Sequence, residues 1–215
     1  MRVVDLSHVI WADMPVFPGT EQPLLQEANT LVKDGFREAK ITMYSHTGTH
    51  IDAPAHMLEG TPCLDDFEID QYIGTAVIAD VSQAKSSFIE REALLPYAET
   101  IKQTDFLILK TGWSRYWGEA NYYSGFPVLS KEAAGWLSEF YLKGIGIDAI
   151  SIDSMDSDDF PVHKLFLAKN ILIIENLTNL DLISQGRFIL SVMPLKTKAA
   201  DGSPVRAFAV LDAQF

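Results

Sequence analysis

The chain has 215 residues, 47% of them hydrophobic, and a formal net charge of −12. A chain of this length can bury a sizeable core, so we expect residues 1–215 to form one domain. The acidic balance argues against a nucleic-acid-binding protein, because phosphates require patches of lysine and arginine. A small anionic substrate stays possible, since a bound divalent metal can reverse the charge of a local site.

The sequence also predicts a soluble, cytoplasmic protein. Its single cysteine, Cys63, excludes an intrachain disulfide and fits a reducing compartment. Residues 1–15 contain an aspartate and a histidine where a signal peptide needs an apolar core. No apolar run of the sequence is long enough to span a membrane.

Short runs rich in β-branched and aromatic residues predict strands along the whole chain. The runs cover residues 3–7, 37–44, 75–81, 106–109, 145–152, 171–174, 188–192 and 207–211. In the second run Ala39, Ile41 and Met43 alternate with polar residues, so we expect this strand to be half-buried.

Two longer segments predict helices. Ser87, with Glu90 three residues later, fits a capping box at the start of the first helix. Ser130 can cap the second, which we expect to run to about Lys143, and a shorter helical turn is expected at 162–169. Strands outnumber helices and some follow one another directly. The predicted fold class is therefore α/β, with a single mixed-sheet domain and no simple βαβ repeat.

Candidate metal ligands cluster in residues 46–56, HTGTHIDAPAH, where three histidines accompany Asp52. Imidazole nitrogens and carboxylate oxygens suit zinc, manganese or iron(II). The glycine, threonines and proline of this run disfavour a helix. A tight turn at Gly48 followed by extended chain would point His50 and Asp52 the same way and let His46 fold back toward them.

Two other interpretations of this cluster are weaker. Polar loop histidines without a metal would not explain why three histidines and an aspartate surround a glycine and a proline within eleven residues. A purely structural zinc site favours a closed, cysteine-rich ligand set, and this run has no cysteine. The pattern therefore favours a catalytic metal site with an open position.

The run His46-Thr-Gly-Thr-His50-Ile-Asp52-Ala-Pro54-Ala-His56 resembles the signature of the cyclase/arylformamidase family of metal-dependent hydrolases. That family includes bacterial kynurenine formamidases and isatin hydrolases. The resemblance implies a fold of the swivelling β/β/α type and a homodimer or homotetramer. It covers nearly the whole chain through Asp5-Leu6-Ser7, Pro15-Val-Phe-Pro-Gly19, Thr111-Gly112-Trp113, the segment 163–175 and Pro204-Val-Arg206.

The resemblance implies a centre of two divalent ions per chain, with zinc as the first expectation and manganese as the alternative. The implied ligands are His46, His50 and Asp52 for one ion and His163 for the other, with Asp52 and Glu175 bridging the two. His56 is implied to be the catalytic acid/base. From the residues alone, His163 beside a proline would be interpreted as a surface histidine, and Glu175 as a strand-end residue facing water.

The implied activity is hydrolysis of the amide C–N bond of an aryl formamide such as N-formylkynurenine. A metal-bound hydroxide would attack the carbonyl carbon, and His56 would move a proton to the departing nitrogen. One alternative on the same site is an isatin-type cyclic amide or lactone hydrolase, or a cyclase. From a different class, a non-catalytic metal-binding module remains open.

Phe17 is the candidate substrate-binding residue. It lies in a proline-rich loop, where kynurenine formamidases of the family carry a tryptophan that contacts the substrate. A phenyl ring can still stack on an aromatic substrate, but the indole N–H donor is lost. Anchoring of the loop against the core is the alternative role. A second segment, the acidic stretch 148–159, lacks the spacing of a calcium loop and is expected to be a solvated loop near the site.

Overall fold

The computed structural model describes residues 1–83, 86–184 and 186–211. In these ranges the strands are β1 (Arg2–Asp5), β2 (Leu24–Asn29), β3 (Glu38–Thr42), β4 (His50–Asp52), β5 (Ile73–Asp80), β6 (Phe88–Ile89), β7 (Phe106–Lys110), β8 (Val128–Leu129), β9 (Gly144–Ile147), β10 (Leu172–Glu175), β11 (Arg187–Ser191), β12 (Gly202–Pro204) and β13 (Phe208–Leu211). The α-helices are α1 (Leu31–Asp34), α2 (Arg91–Leu94), α3 (Ala98–Ile101), α4 (Lys131–Leu137) and α5 (Pro161–Leu167).

A nine-stranded mixed sheet in the order β1-β13-β11-β5-β7-β9-β10-β4-β12 organises the molecule. Its central strands β5, β7, β9 and β10 are parallel, and antiparallel pairs flank them on both sides. Along β7, Leu107 and Leu109 face one hydrophobic core while Phe106 and Ile108 face the other. Central parallel strands are typically covered on both faces in this way. The predicted α/β fold class with one mixed sheet is confirmed.

The pairing of β4 with β10 positions the functional side chains. In this antiparallel pair His50 lies opposite Glu175, and Asp52 lies opposite Ile173. Because directly opposed residues share a face of the sheet, the two β4 side chains and Glu175 project from one face. Helix α5 covers that same face, since its Phe166 belongs to the same core as Ile173. Strand β4 therefore meets β10 and α5, which both lie far from it in the sequence.

The first predicted helix begins later than expected. Ser87 does not cap a helix, because the next two residues form β6, which pairs in parallel with β8. Helix α2 begins only at Arg91, with Glu90 at its cap position. Pairing with a distant strand has overridden the local capping signal.

The second predicted helix has the expected start and an earlier end. Ser130 Oγ accepts a hydrogen bond from the Ala133 N–H at 3.2 Å, as a cap should. The helix stops at Leu137 rather than Lys143, because the following amides turn to tighter i→i−3 bonds, from Glu139 to the carbonyl of Trp136 and from Phe140 to that of Leu137. Within the described ranges, no helix has the length and apolar character needed to cross a membrane.

Strands β2 and β3 form an exposed two-stranded ribbon in which Leu25 lies opposite Ile41. The predicted half-burial of the second strand is wrong, because every residue of β3 is exposed and Ile41 is 54% exposed. The alternation of apolar and polar residues predicts a strand, and β3 is present, but its apolar side meets no core. A two-stranded ribbon of this kind is at best marginally stable alone in water.

Candidate metal centre

The segment 46–56 folds as a turn, a short strand and a single 3₁₀ turn. Gly48 has φ +67°, and β4 follows directly. A side chain at this position would be strained by the left-handed backbone, and its Cβ would lie 3.1 Å from Met14 Cε. The 3₁₀ turn Pro54–His56 ends the segment. The glycine turn and extended stretch expected from the sequence are both present.

Asp52 lies at the centre of the histidines. Its side chain is 1% exposed, and its Oδ1 lies 2.7 Å from His46 Nδ1 and 3.3 Å from His50 Nε2. Its Oδ2 lies 3.8 Å from His163 Nε2. Among the described residues, this buried Oδ2 atom has no hydrogen-bond partner. A buried carboxylate oxygen left in that state is costly unless a cation binds it.

Glu175 completes the cluster from the neighbouring strand. Its Oε1 lies 3.2 Å from His163 Nε2, and its Oε2 lies 3.6 Å from His50 Nε2. The same Oε1 accepts a hydrogen bond from the Ile152 backbone N–H at 2.8 Å. Glu175 and His163 are both buried, so a strand-end carboxylate facing water and a surface histidine are the wrong interpretations. Sheet pairing and helix packing bury them, and neither is visible in the local sequence.

Among the described residues, three sets of buried or half-buried side chains could each hold a metal ion. They are His46, His50 and Asp52; Asp52, His163 and Glu175; and His46, His56 and Asp201. Within each set the candidate ligand atoms lie within 4.8 Å of one another. Asp52 belongs to the first two sets and carries the unpartnered oxygen. Two buried carboxylates among imidazoles fit a divalent cation, and nitrogen and oxygen donors without cysteine accept zinc, manganese or iron(II).

Asp153 contacts the ring nitrogen of His163 that faces away from the centre, and the sequence pattern does not predict this contact. Its Oδ2 lies 2.8 Å from His163 Nδ1, so the other ring nitrogen faces the carboxylates of the centre. Asp153 is 3% exposed, and Asp148 in the same stretch is buried and accepts hydrogen bonds from the Thr111 and Gly112 backbone. The predicted solvated loop is therefore wrong for both aspartates. Histidine ligands of metals are usually oriented by such a carboxylate or by a backbone carbonyl.

Asp201 contacts the outer ring nitrogen of His46 in the same way, and the sequence pattern does not predict this contact either. Its Oδ2 lies 3.0 Å from His46 Nε2 and 3.7 Å from His56 Nδ1. The next residue must be small, because a Cβ on Gly202 would lie 2.4 Å from His46 Cε1. The available signal was the Asp-Gly pair just before Pro204. His50 instead donates its Nδ1–H to the Gly48 carbonyl at 2.7 Å.

Hydrogen bonds and nearby negative charges favour protonation of His46 and His163, two of the candidate metal ligands. Burial alone would lower the pKa of His46, but the charge of Asp52 and hydrogen bonds to Asp52 and Asp201 raise it to about 9. Burial also opposes protonation of His163, but hydrogen bonds to Asp153 and Glu175 and nearby negative charge raise its pKa to about 10. The pKa of Asp52 falls well below its usual value, because His46 and His50 outweigh the effect of burial. Loading a metal must therefore displace protons.

His56 differs from the other histidines of the site. Its ring lies 3.9 Å from the His46 ring and 6.3 Å from the His163 ring. It belongs to the half-buried set with His46 and Asp201 and to neither set that contains Asp52. Burial lowers the pKa of His56, and the neighbouring charges of His46 and His163 lower it further against the opposing charge of Asp52. A neutral imidazole beside the centre can accept and return a proton.

A cavity of about 340 Å³ opens onto these residues. Its apolar wall includes Phe17, Tyr44, Met57, Ile150 and Phe160. Phe17 is 37% exposed and, in the described part of the chain, lies outside both hydrophobic cores. This position favours the cavity wall over the alternative of loop anchoring.

Comparison with known proteins identifies the family of the chain. The model of the Cyclase family matches residues 4–154. The chain belongs to the cyclase family. Kynurenine formamidases of Bacillus thuringiensis (strain Al Hakam) and Bacillus anthracis are both 33% identical to it over 207 residues, 95% of either chain. The resemblance found in residues 46–56 is thus confirmed.

Solved structures of the family share the fold. Isatin hydrolase A from Labrenzia aggregata, bound to benzyl benzoate, has a TM-score of 0.87 and 26% identity, covering 97% of this chain and 93% of its own. A potential metal-dependent hydrolase with cyclase activity has a TM-score of 0.78 and 28% identity, covering 97% and 96%. The fold expected from the resemblance, of the swivelling β/β/α type, is confirmed for this cyclase-family chain.

Proposed function

We propose that the chain is a metal-dependent hydrolase that cleaves the amide C–N bond of an aryl formamide such as N-formylkynurenine. The observation that carries this proposal is the position of His56, whose ring lies 3.9 Å from the His46 ring, beside two candidate ligand sets that share the buried Asp52. Relatives named kynurenine formamidase at 33% identity and an isatin hydrolase of the same fold support amide hydrolysis.

The proposed metal ligands are His46, His50 and Asp52 for one ion and His163 for the other, with Asp52 and Glu175 shared. Two ions per chain, with zinc as the first choice and manganese as the second, fit the two sets that share Asp52. The ions, when bound, would lower the pKa of water and polarise the carbonyl oxygen. The outer carboxylates Asp153 and Asp201 would keep the His163 and His46 rings turned toward the centre.

His56 is the proposed acid/base. An amine is a poor leaving group unless its nitrogen receives a proton as the C–N bond breaks, and His56 is placed to deliver that proton. The cavity wall would hold the substrate's aryl ring, with Phe17 as the proposed stacking partner.

The decisive experiment is metal-dependent release of formate from N-formylkynurenine. Chelator-stripped protein should release none, and activity should return with Zn²⁺ or Mn²⁺ in the wild type but not in His50→Ala. Turnover of isatin or a lactone in place of the formamide would support the cyclic substrate alternative. Metal binding without turnover of any amide, lactone or ester would support the binding module.

A homodimer or homotetramer is also proposed, and the exposed ribbon of β2 and β3 supports it. Segment 24–44 carries three acidic and three basic residues, whereas the whole chain has a net charge of −12. Copies can approach at this neutral segment with less repulsion than elsewhere. Light scattering should give two or four chains, and Ile41→Asp should shift the wild-type mass toward a monomer. A monomeric wild type at micromolar concentration would contradict the proposal.

Two broader expectations remain predictions. That residues 1–215 form one cyclase-like domain is supported by the alignment of relatives over 95% of the chain. The cytoplasmic location expected from the sequence is tested by fractionating cells that express the protein.

A further inference from the structure

We propose that Phe160 contacts the substrate and selects for an aromatic ring, at a cost to the stability of the folded chain. This inference rests on the proposed function, because it takes an aryl formamide as the substrate. Phe160 is the residue just before helix α5, which carries His163.

The backbone of Phe160 is unfavourable for its side chain. It has φ 45° and ψ 58°, in the left-handed region. A bulky residue rarely adopts this conformation, because its Cβ crowds the neighbouring backbone. Pro161 follows and further restricts the preceding residue by disfavouring the right-handed helical region. Strained residues of this kind concentrate at functional sites, where the surrounding structure holds them in place.

Phe160 does not serve the helix as a cap. Serine, threonine, asparagine or aspartate usually occupies this position, and Phe160 makes no side-chain capping bond. Asp153 supplies the capping instead, because its two oxygens accept hydrogen bonds from the Val162 N–H at 3.1 Å and the His163 N–H at 2.9 Å. The side chain of Phe160 is therefore not needed to cap helix α5.

The Phe160 ring does not serve the core either. In the described part of the chain it belongs to neither hydrophobic core. It lines the cavity together with Phe17 and Tyr44, and it meets the His163 ring edge-on, with centroids 5.8 Å apart and planes at 88°. The ring thus stands beside a proposed metal ligand and faces the space that the substrate would fill.

An aryl ring is the group this wall recognises best. Aromatic pairs favour offset or edge-to-face contacts with centroids about 4.5–7 Å apart, and several rings around one cavity can offer such contacts. An alkyl formamide would present the same scissile bond but no ring. Phe160 should therefore affect binding of aryl substrates and leave alkyl substrates nearly unchanged.

The test uses metal-loaded protein and two variants. Phe160→Asn removes the ring and supplies a residue that tolerates left-handed backbone, and Phe160→Tyr is the matched control that keeps the ring. For formanilide, Phe160→Asn should raise KM roughly tenfold, as about 1.4 kcal/mol of lost binding would do, with kcat changed less. For N-methylformamide its KM should stay near the wild-type value. The melting temperature of Phe160→Asn should be unchanged or higher, and Phe160→Tyr should keep the wild-type preference for aryl over alkyl substrates.

A second measurement separates this inference from the proposed function. Calorimetry with 2-aminoacetophenone, an arylamine of the kind that formamide hydrolysis releases, measures ring binding without turnover. Binding weakened roughly tenfold in Phe160→Asn supports the inference even if no formamide is hydrolysed. The inference is overturned if the wild type binds no arylamine. It is equally overturned if Phe160→Asn melts at a lower temperature while its preference for aryl over alkyl substrates is unchanged, since the ring would then only support the fold.

Discussion

The two halves of the candidate metal centre are built in different ways. Residues 46–56 form a local half, in which a turn, a strand and a 3₁₀ turn present every candidate group within one short stretch. The distant half depends on tertiary structure, because Glu175 arrives through pairing of β10 with β4 and His163 through packing of α5. Local backbone geometry therefore determines one ligand set, whereas the second set exists only when the sheet and helix are assembled.

Substitutions in the local half should have the largest effects on activity. They should also distinguish the metal ligands from the acid/base. His50→Ala removes a proposed ligand, so metal affinity and activity should both be lost. His56→Ala should keep its metal and its fold but lose kcat by about a hundred- to ten-thousandfold, with KM less affected. Metal content and kcat are measured on both purified variants. If His56→Ala loses metal as fully as His50→Ala does, His56 is a ligand and another group must donate the proton.

The distant half should respond to loss of its supporting carboxylate. Asp153→Ala should weaken metal binding about 10- to 100-fold, because the His163 ring loses the partner that orients it. It should also lower the free energy of unfolding, because the first turn of α5 loses its cap. Asp201→Ala is the matched comparison, since Asp201 backs His46 without capping a helix. Metal competition titrations measure the first effect and urea unfolding the second. An Asp153→Ala variant that lost stability but kept full metal affinity would contradict this account.

Smaller, pH-dependent effects should distinguish the metal-free from the metal-loaded state. The pKa values of His46 and His163 are raised to about 9 and about 10. Their contribution to the stability of the metal-free chain is therefore complete below pH 6.5 and is lost as the pH rises through these values. Metal affinity should show the opposite trend and rise with pH, as protons leave the ligands. Urea unfolding of metal-free protein at pH 6.5 and pH 10 checks the first trend, and His163→Gln should reduce it. Equal stability of the wild type at both pH values would contradict the claim that protonated His46 and His163 stabilise the metal-free chain.

The smallest effect is expected at the rim of the cavity. Phe17→Ala should raise KM for an aryl formamide several-fold with little change in melting temperature, because the ring is partly exposed and contributes stacking area. Phe17→Trp would restore an indole N–H and should lower KM for N-formylkynurenine. A Phe17→Ala variant that melts at a clearly lower temperature with unchanged KM would show that the ring anchors its loop.

The difference between the halves also explains what the sequence could predict. Residues 46–56 needed only glycine, proline and alternation to indicate a turn and a converging strand, and the structure has both. His163 and Glu175 came from family resemblance alone, since no local pattern shows that α5 and β10 meet β4. Asp153 was expected in solvent because acidic loops usually are solvated, and its burial depends on the helix that it caps. The exposed β3 shows the same limit, since alternation predicts a strand but not whether a core lies beside it.

The sharing of Asp52 and Glu175 by two metal ions is the central claim, and counting metal ions per chain tests it most directly. Wild-type protein reconstituted with excess Zn²⁺ and then desalted should hold close to two ions per chain by elemental analysis. Glu175→Ala should hold clearly fewer, because the set of Asp52 and His163 loses a ligand, and the other ion loses a carboxylate that lies 3.6 Å from His50 Nε2. A wild type with one tightly held ion, unchanged in Glu175→Ala, would contradict the account.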